Sequence, residues 1–239
     1  FNGKKCISFS SNDYLNLSQN KEVKNAGVKA LKKFGSGACS STIIEGYNYL
    51  YELIKKEIQS AKNVEDCVIF SSGYTANLGI LGALFTKDDI LFLDENSHTS
   101  SFEGARLCGA KIMRFKHNSV TDLEEKINKF KVRGKIGIAT ETVFSMKGSV
   151  LSEISAYFEL AKKHNAILIT DEAHSLGIFE IDFPKYELHV QMGTFSKAVG
   201  VLGGYVCGNT ILIDVIRQFA KSGIYTTALP PAVLACVLT

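Results

Sequence analysis

The sequence predicts an α/β protein, a mostly parallel sheet covered by helices on both faces. Three observations predict it. Short β-rich runs alternate with helical patterns along the chain, the rhythm of strand–helix–strand units. Polar residues gather just after the strand runs, where open α/β sheets carry their sites. The balance of 46% hydrophobic and 21% charged residues over 239 positions is enough to bury a core in one large domain or two small ones.

The elements follow in order. Residues 1–40 read as a lead-in segment. Tyr47, Leu50, Tyr51, Ile54, Ile58 and Ala61 then recur at helical spacing, a stripe that packs on the sheet. A strand over 67–71 leads to a helix over 74–85, and a strand over 90–93 to a helix over 100–108. A strand over 111–115 precedes a helix over 121–130, and one over 136–140 precedes a helix over 153–164. A strand over 166–170 comes next, and much later a strand over 202–207 and a helix over 211–221. Pro230 and Pro231 end the last helical stretch.

Several function classes are excluded by composition. The formal charge of +3 is small and the two signs are interspersed, so neither a nucleic-acid groove nor a membrane-binding face is expected. No apolar run approaches the roughly 18 residues of a transmembrane helix. Phe1-Asn2-Gly3-Lys4-Lys5 does not read as a signal peptide. The six cysteines form no CxxC pair, which points to buried reduced thiols in a cytoplasmic protein and not to disulfides or a metal site.

Four strand ends carry the polar groups: Ser72-Gly73-Tyr74, Asp94 through His98, Glu141 through Ser145, and Asp171 through His174. They imply one shared pocket. Ser72-Gly73-Tyr74 joins a strand to a helix N-terminus, where free N–H groups favour a phosphate or simply serve as a cap. Asp171 ends an apolar run; such a carboxylate holds a protonated pyridine nitrogen, binds magnesium or caps a helix. His174 is an acid–base group or a core histidine, and His98 a ring that stacks on a pyridine or a structural residue. Lys197 sits in Thr194-Phe195-Ser196-Lys197-Ala198, among small and apolar neighbours. Burial there lowers an amine's pKa and suits it to Schiff-base chemistry, while Thr194 adds a hydroxyl to the phosphate site.

In this order the motifs resemble a known family. Ser10-Ser11-Asn12-Asp13-Tyr14-Leu15, Ser72-Gly73-Tyr74, His98, Thr140 through Met146, Asp171-Glu172-Ala173-His174-Ser175, Thr194 through Lys197 and Tyr225 through Pro231 resemble the α-oxoamine synthases. These are fold-type I, pyridoxal-phosphate-dependent acyltransferases. The resemblance implies a seven-stranded, aminotransferase-like large domain over 41–222. It implies that 223–239 begins the connection to a smaller C-terminal domain that is missing from this chain. Lys197 would carry the cofactor as a Schiff base, Asp171 would pair with the pyridine nitrogen, and His98 would stack on the ring. His174 and Ser145 would contact the phenolic oxygen. Gly73, Tyr74 and Thr194 would bind the phosphate, and Thr226 and Thr227 would reach the partner subunit's phosphate in a homodimer. Asn12 would lie near the amino-acid carboxylate, beside His98. The implied reaction condenses L-alanine with a pimeloyl thioester of coenzyme A or a carrier protein, releasing carbon dioxide, in biotin biosynthesis. The alternatives are a sibling of the family that takes glycine or serine instead, or an inactive truncated remnant that keeps the fold without turnover.

Overall fold

The computed structural model describes residues 2–130 and 133–239. A seven-stranded sheet with the order β1-β7-β6-β5-β4-β2-β3 forms its centre. The strands are β1 (Asp66–Phe70), β2 (Ile90–Asp94), β3 (Lys111–Phe115), β4 (Ile136–Glu141), β5 (Ile167–Asp171), β6 (His189–Thr194) and β7 (Gly204–Gly208). Only β7 runs against its neighbours, pairing antiparallel with both β1 and β6. All other pairs are parallel. The predicted fold class therefore holds.

Alternation along the strands divides the core between the faces. Leu91 and Leu93 of β2, with Ile169 of β5, pack with Ile80 and Leu81 of α3 (Gly73–Leu84) and Ile213 and Ile216 of α7 (Thr210–Phe219). Ile90, Phe92 and Leu168 face the other way, onto Leu123 of α5 (Val120–Lys129) and Tyr157 and Phe158 of α6 (Ile154–Lys163). A third cluster joins Tyr51 and Ile54 of α2 (Tyr49–Lys62) to Tyr205 of β7 and Leu234 of α9 (Pro231–Leu238). Between β2 and β3 runs α4 (Thr99–Cys108).

Four elements differ from expectation. β6 was not anticipated, because His189 and Gln191 interrupt its apolar pattern; both are nonetheless buried, and His189 Nε2 lies 2.9 Å from Thr170 Oγ1. The lead-in segment contains a helix, α1 (Lys21–Phe34), capped by Asn20, whose Oδ1 accepts the Glu22 N–H at 2.7 Å. Of its residues only Ala30 is fully covered. Pro230 and Pro231 begin a helix and do not end one: Pro231 takes the first position of α9, where a missing N–H costs nothing. The single helix expected over 211–221 is broken at Ala220 into α7 and the one-turn α8 (Lys221–Ile224). In the amphipathic stripe, Leu50, Tyr51, Ile54 and Ile58 are buried as expected; Ala61 is exposed, and Tyr47 precedes the helix and stacks on Tyr51 at 4.9 Å.

Of the cysteines, Cys67 and Cys207 are buried, whereas Cys6 and Cys39 are exposed, so the expectation of uniformly buried thiols is corrected. Both exposed ones lie in irregular segments outside the apolar runs. Among the described residues, no helix is long and apolar enough to cross a membrane.

Candidate active site

Four parallel strands end side by side, and register fixes which residues meet. Glu141 at the end of β4 is the direct partner of Asp171 at the end of β5, and Asp171 pairs in turn with Met192 of β6. Thr194, the last residue of β6, sits opposite Gly204 of β7. The four strand ends named from the sequence thus share one edge.

After β5 the chain turns sharply. Ala173 N–H donates to Asp171 Oδ1 at 2.9 Å, and Leu176 N–H returns to Glu172 O at 2.9 Å. The turn points His174 at Lys197: Nε2 lies 2.7 Å from Lys197 Nζ. Its other nitrogen, Nδ1, lies 2.7 Å from the Tyr14 hydroxyl, which donates to Asn12 Oδ1 at 3.2 Å. A protonated Lys197 can only donate, so opposite it Nε2 accepts and the neutral ring carries its hydrogen on Nδ1, toward the Tyr14 oxygen. Burial first, and the charge of Lys197 second, hold His174 down at about 4, so the ring is neutral at physiological pH.

Lys197 stands on the loop from β6 to β7. Phe195 N–H bonds Gly203 O and Val201 N–H bonds Phe195 O, each at 2.9 Å, closing the loop. Gly200 has a φ of +74°, and a Cβ there would lie 2.5 Å from Ser18 N, so only glycine fits. The amine is partly buried, and burial lowers its pKa against the opposing pull of Asp171 and Glu141. That raises the fraction of free base available to attack a carbonyl.

Asp171 is 6% exposed. Burial pushes its carboxyl up, opposed by hydrogen bonds from the Asn77 amide at 3.0 Å and Ala173 N–H, and by the charges of Lys197 and His98. Glu141 is likewise raised, to about 8, by burial first and by Asp171 second. Its carboxylate accepts the backbone N–H of His98 and, at 3.3 Å, that of Ser145. It therefore ties the end of β4 to the segment after β2. His98 caps α4 and is exposed. Ser145 Oγ is buried and, within the described residues, has no hydrogen-bond partner.

At the other end of the site, α3 starts with a complete capping box: Thr75 N–H donates to Ser72 Oγ at 3.1 Å, and Ser72 N–H to Thr75 Oγ1 at 3.0 Å. Gly73 lies against Thr194, whose Cβ would be 3.2 Å from a Cβ added at Gly73. Gly204 lets β7 run against this helix start; a Cβ there would be 2.7 Å from Gly73 N. Thr194 Oγ1 donates to Gly203 O and sits 2.8 Å from Ser196 Oγ. Tyr74 is half exposed beside them.

The structure thus brings together Lys197, His174, Asp171, His98 and Ser145, with Gly73, Tyr74 and Thr194 at the helix start. Asn12 joins them through Tyr14. Thr226 and Thr227 stand apart, near the surface between α8 and α9. Sequence reasoning assigned no role to Glu141, although it ends an apolar strand just as Asp171 does. It also passed over Asn77, whose signal was a buried amide inside an otherwise apolar helix, and Tyr14, whose placement depends on the fold.

This donor set suits pyridoxal phosphate. It offers one amine for the aldehyde, one buried carboxylate for a pyridinium, an unpartnered hydroxyl for the phenolic oxygen, and a helix N-terminus beside a threonine for the phosphate.

A family model, described as aminotransferase class I and II, matches residues 4–239. The chain belongs to the aminotransferase class I and II family. As a class I and II aminotransferase-family chain it is 40% identical over 241 residues to a protein of Thermodesulfovibrio yellowstonii provisionally named 8-amino-7-oxononanoate synthase. That match covers 98% of this chain and 62% of the relative. The chain therefore spans less than two thirds of the length of such curated relatives. Among solved structures it resembles a serine palmitoyltransferase of Sphingomonas wittichii, with a TM-score of 0.92 and 32% identity over 99% of this chain and 61% of that one. A further SPT structure, with PLP, gives 0.91 at 34% identity, over 99% and 61% of the two chains. The 8-amino-7-oxononanoate synthase of Francisella tularensis gives 0.79 at 33% identity, over 97% and 67%. The resemblance to α-oxoamine synthases drawn from the motifs agrees with these names.

Glu141 makes stability depend on pH. Between about 4.5 and 8 the folded chain keeps a proton there that the unfolded chain has lost, so stability falls as pH rises. His174, lowered from 6.5 to about 4, acts in the opposite sense, because the unfolded chain gains a proton below 6.5; its contribution rises with pH from about 4 to 6.5. The fall attributable to Glu141 is therefore unopposed by His174 between pH 6.5 and 8. Urea midpoints of the cofactor-free chain are expected to drop over that interval, and Glu141→Gln to flatten the drop. An unchanged slope in the variant would reassign the titration to Asp171 or Glu172, both also raised by burial.

Proposed function

We propose that the chain forms the cofactor-binding part of a pyridoxal-phosphate-dependent α-oxoamine synthase. In this reading L-alanine is joined to a pimeloyl thioester, of coenzyme A or a carrier protein, to give 8-amino-7-oxononanoate. The observation that carries it is one partly buried amine, Lys197 Nζ, 2.7 Å from His174 Nε2 at the same sheet edge as the buried Asp171. The choice of alanine and pimelate rests on the motif resemblance and on the names of relatives.

Pyridoxal phosphate, when bound, supplies an aldehyde for amines and a ring that takes up the electron pair of a carbanion. The chain's own groups do the rest. Lys197 Nζ would hold the cofactor's aldehyde and, as a free base, would accept a proton from the α-carbon of the amino acid. Asp171 keeps the ring nitrogen protonated. His98 would stack on the ring, and Ser145 and His174 would contact the phenolic oxygen. Gly73, Tyr74 and Thr194 hold the phosphate at the start of α3, where backbone N–H groups and the helix dipole favour an anion. Asn12, which accepts the Tyr14 hydroxyl, would lie near the amino-acid carboxylate. A carbon–carbon bond would then form between the α-carbon and the thioester carbonyl as the C–S bond breaks and the thiolate leaves; the original carboxylate would depart as carbon dioxide, and the electron pair it leaves on the α-carbon would take up a proton. Thr226 and Thr227 complete the phosphate site of the second copy in a homodimer.

The test is an absorbance titration of the full 239-residue chain with pyridoxal phosphate, followed by L-alanine, glycine or L-serine. L-alanine is expected to shift the visible band while the others leave it unchanged. A response to serine alone would favour the second reading, a serine-using synthase, which the 0.92 TM-score to serine palmitoyltransferase supports. Absence of any visible band would overturn the cofactor reading.

A further inference from the structure

Asn77 lies in the middle of α3, 3% exposed, and touches two parts of the site at once. Its Nδ2 donates to Asp171 Oδ2 at 3.0 Å and to Ser100 Oγ at 2.9 Å. The orientation of the amide is not arbitrary. A carboxylate oxygen facing it is an acceptor, so the NH2 end must be the one that faces Asp171. Ser100 is 1% exposed and sits in the first turn of α4. Because its oxygen already receives an N–H from Asn77, its own proton is free to point elsewhere. The acceptor within reach is His98 Nδ1, 2.8 Å away. The Ser100 backbone N–H, which can only donate, also points at that nitrogen, at 3.2 Å.

Every proton in this row is therefore placed. Asn77 donates to Asp171 and to Ser100, and Ser100 donates to His98 Nδ1. The neutral imidazole then carries its hydrogen on Nε2. We propose that Asn77 is a positioning residue that couples the buried carboxylate to the histidine across the pocket, presenting His98 as the Nε2–H tautomer. The same amide favours the charged form of Asp171. Removing it leaves a carboxylate and a hydroxyl in a buried space with one donor fewer each, in a site where unmet polar groups are costly. The part that concerns the cofactor rests on the pyridoxal phosphate reading above; the tautomer does not.

The test uses the full chain labelled with 15N-histidine, without cofactor, at a pH where the ring is neutral. Long-range 1H–15N correlation reads which nitrogen carries the proton, and loss of one spin system in His98→Gln assigns the signal. The expected result is Nε2–H for His98, with Nδ1 as a hydrogen-bonded acceptor. An Nδ1–H tautomer, or an even mixture, overturns the proposal whatever any variant does. In Asn77→Asp the new side chain faces Ser100 as an acceptor and draws its hydroxyl proton away. The His98 Nδ1 resonance should then move toward that of an unbonded nitrogen; an unchanged resonance in a folded Asn77→Asp chain also overturns it. A pyridoxal phosphate titration adds the second arm. The dissociation constant is expected to rise about 10- to 100-fold in Asn77→Leu, and more steeply at acid pH, as Asp171 loses its donor. Equal affinity in wild type and Asn77→Leu would overturn the coupling to Asp171. If the wild-type chain binds no pyridoxal phosphate, the function reading fails, and the histidine tautomer still decides this one.

Discussion

Lys197→Ala is expected to abolish borohydride-fixed attachment of pyridoxal phosphate. The chain offers many lysines, but the amine of this one is partly buried, lowered in pKa and aligned by His174 at 2.7 Å. Surface lysines keep their protons near neutral pH and react only in proportion to their small free-base fraction. Mass spectrometry of the reduced wild-type chain should place the added mass on the peptide containing Lys197. The variant should still bind the cofactor reversibly through Asp171 and the start of α3, with no covalent product and turnover reduced at least ~10²- to 10⁴-fold. Undiminished covalent trapping in the variant would sink the assignment of Lys197.

Asp171→Asn separates the ring from the aldehyde. The amide fills the same volume between Asn77 and Ala173 but carries no charge for a pyridinium. Trapping on Lys197 should persist, because the amine and its His174 contact are untouched. The carbanion step should fail, with turnover falling on the order of 10²- to 10³-fold, the usual loss when a preorganised electrostatic partner is removed. A second signature follows from register: with Asp171 neutral, its strand partner Glu141 loses the repulsion that helps raise it, and its titration should move down from about 8. Wild-type turnover in Asp171→Asn would show that the ring nitrogen is held by another group.

The fold was largely legible because alternation of strands and helices survives in local patterns. Leu91, Phe92 and Leu93 form a continuous apolar run whose neighbours are helices, and that alone implies a covered sheet. β6 was illegible because its two polar residues, His189 and Gln191, are satisfied or tolerated only by contacts that the fold creates. The helix at α9 was misread because a Pro-Pro pair both ends and begins helices, and only the chain direction of its packing decides between them. The site divides the same way. Lys197 and Asp171 announced themselves as charged groups in apolar surroundings. Glu141 carried the same signal without receiving a role. Tyr14 and Asn77 act through partners far along the chain, His174 for one, Asp171 and Ser100 for the other, and no local pattern encodes such a pairing.

The placement of β7 has a consequence for how the chain is made. Among the described residues β1 finds its one sheet partner in β7, far along the chain, and α1 meets α9 in a contact that closes over 213 positions, from Val23 O to Cys236 Sγ. During synthesis β1 and α1 therefore wait with an unpaired edge and an uncovered face until β7 and α9 have left the ribosome. Contacts of such long sequence separation form slowly, and a waiting strand edge is a template for the wrong neighbour. The strand that brings Gly204 against the start of α3 is thus also the strand that ends the exposure of β1 to a wrong neighbour.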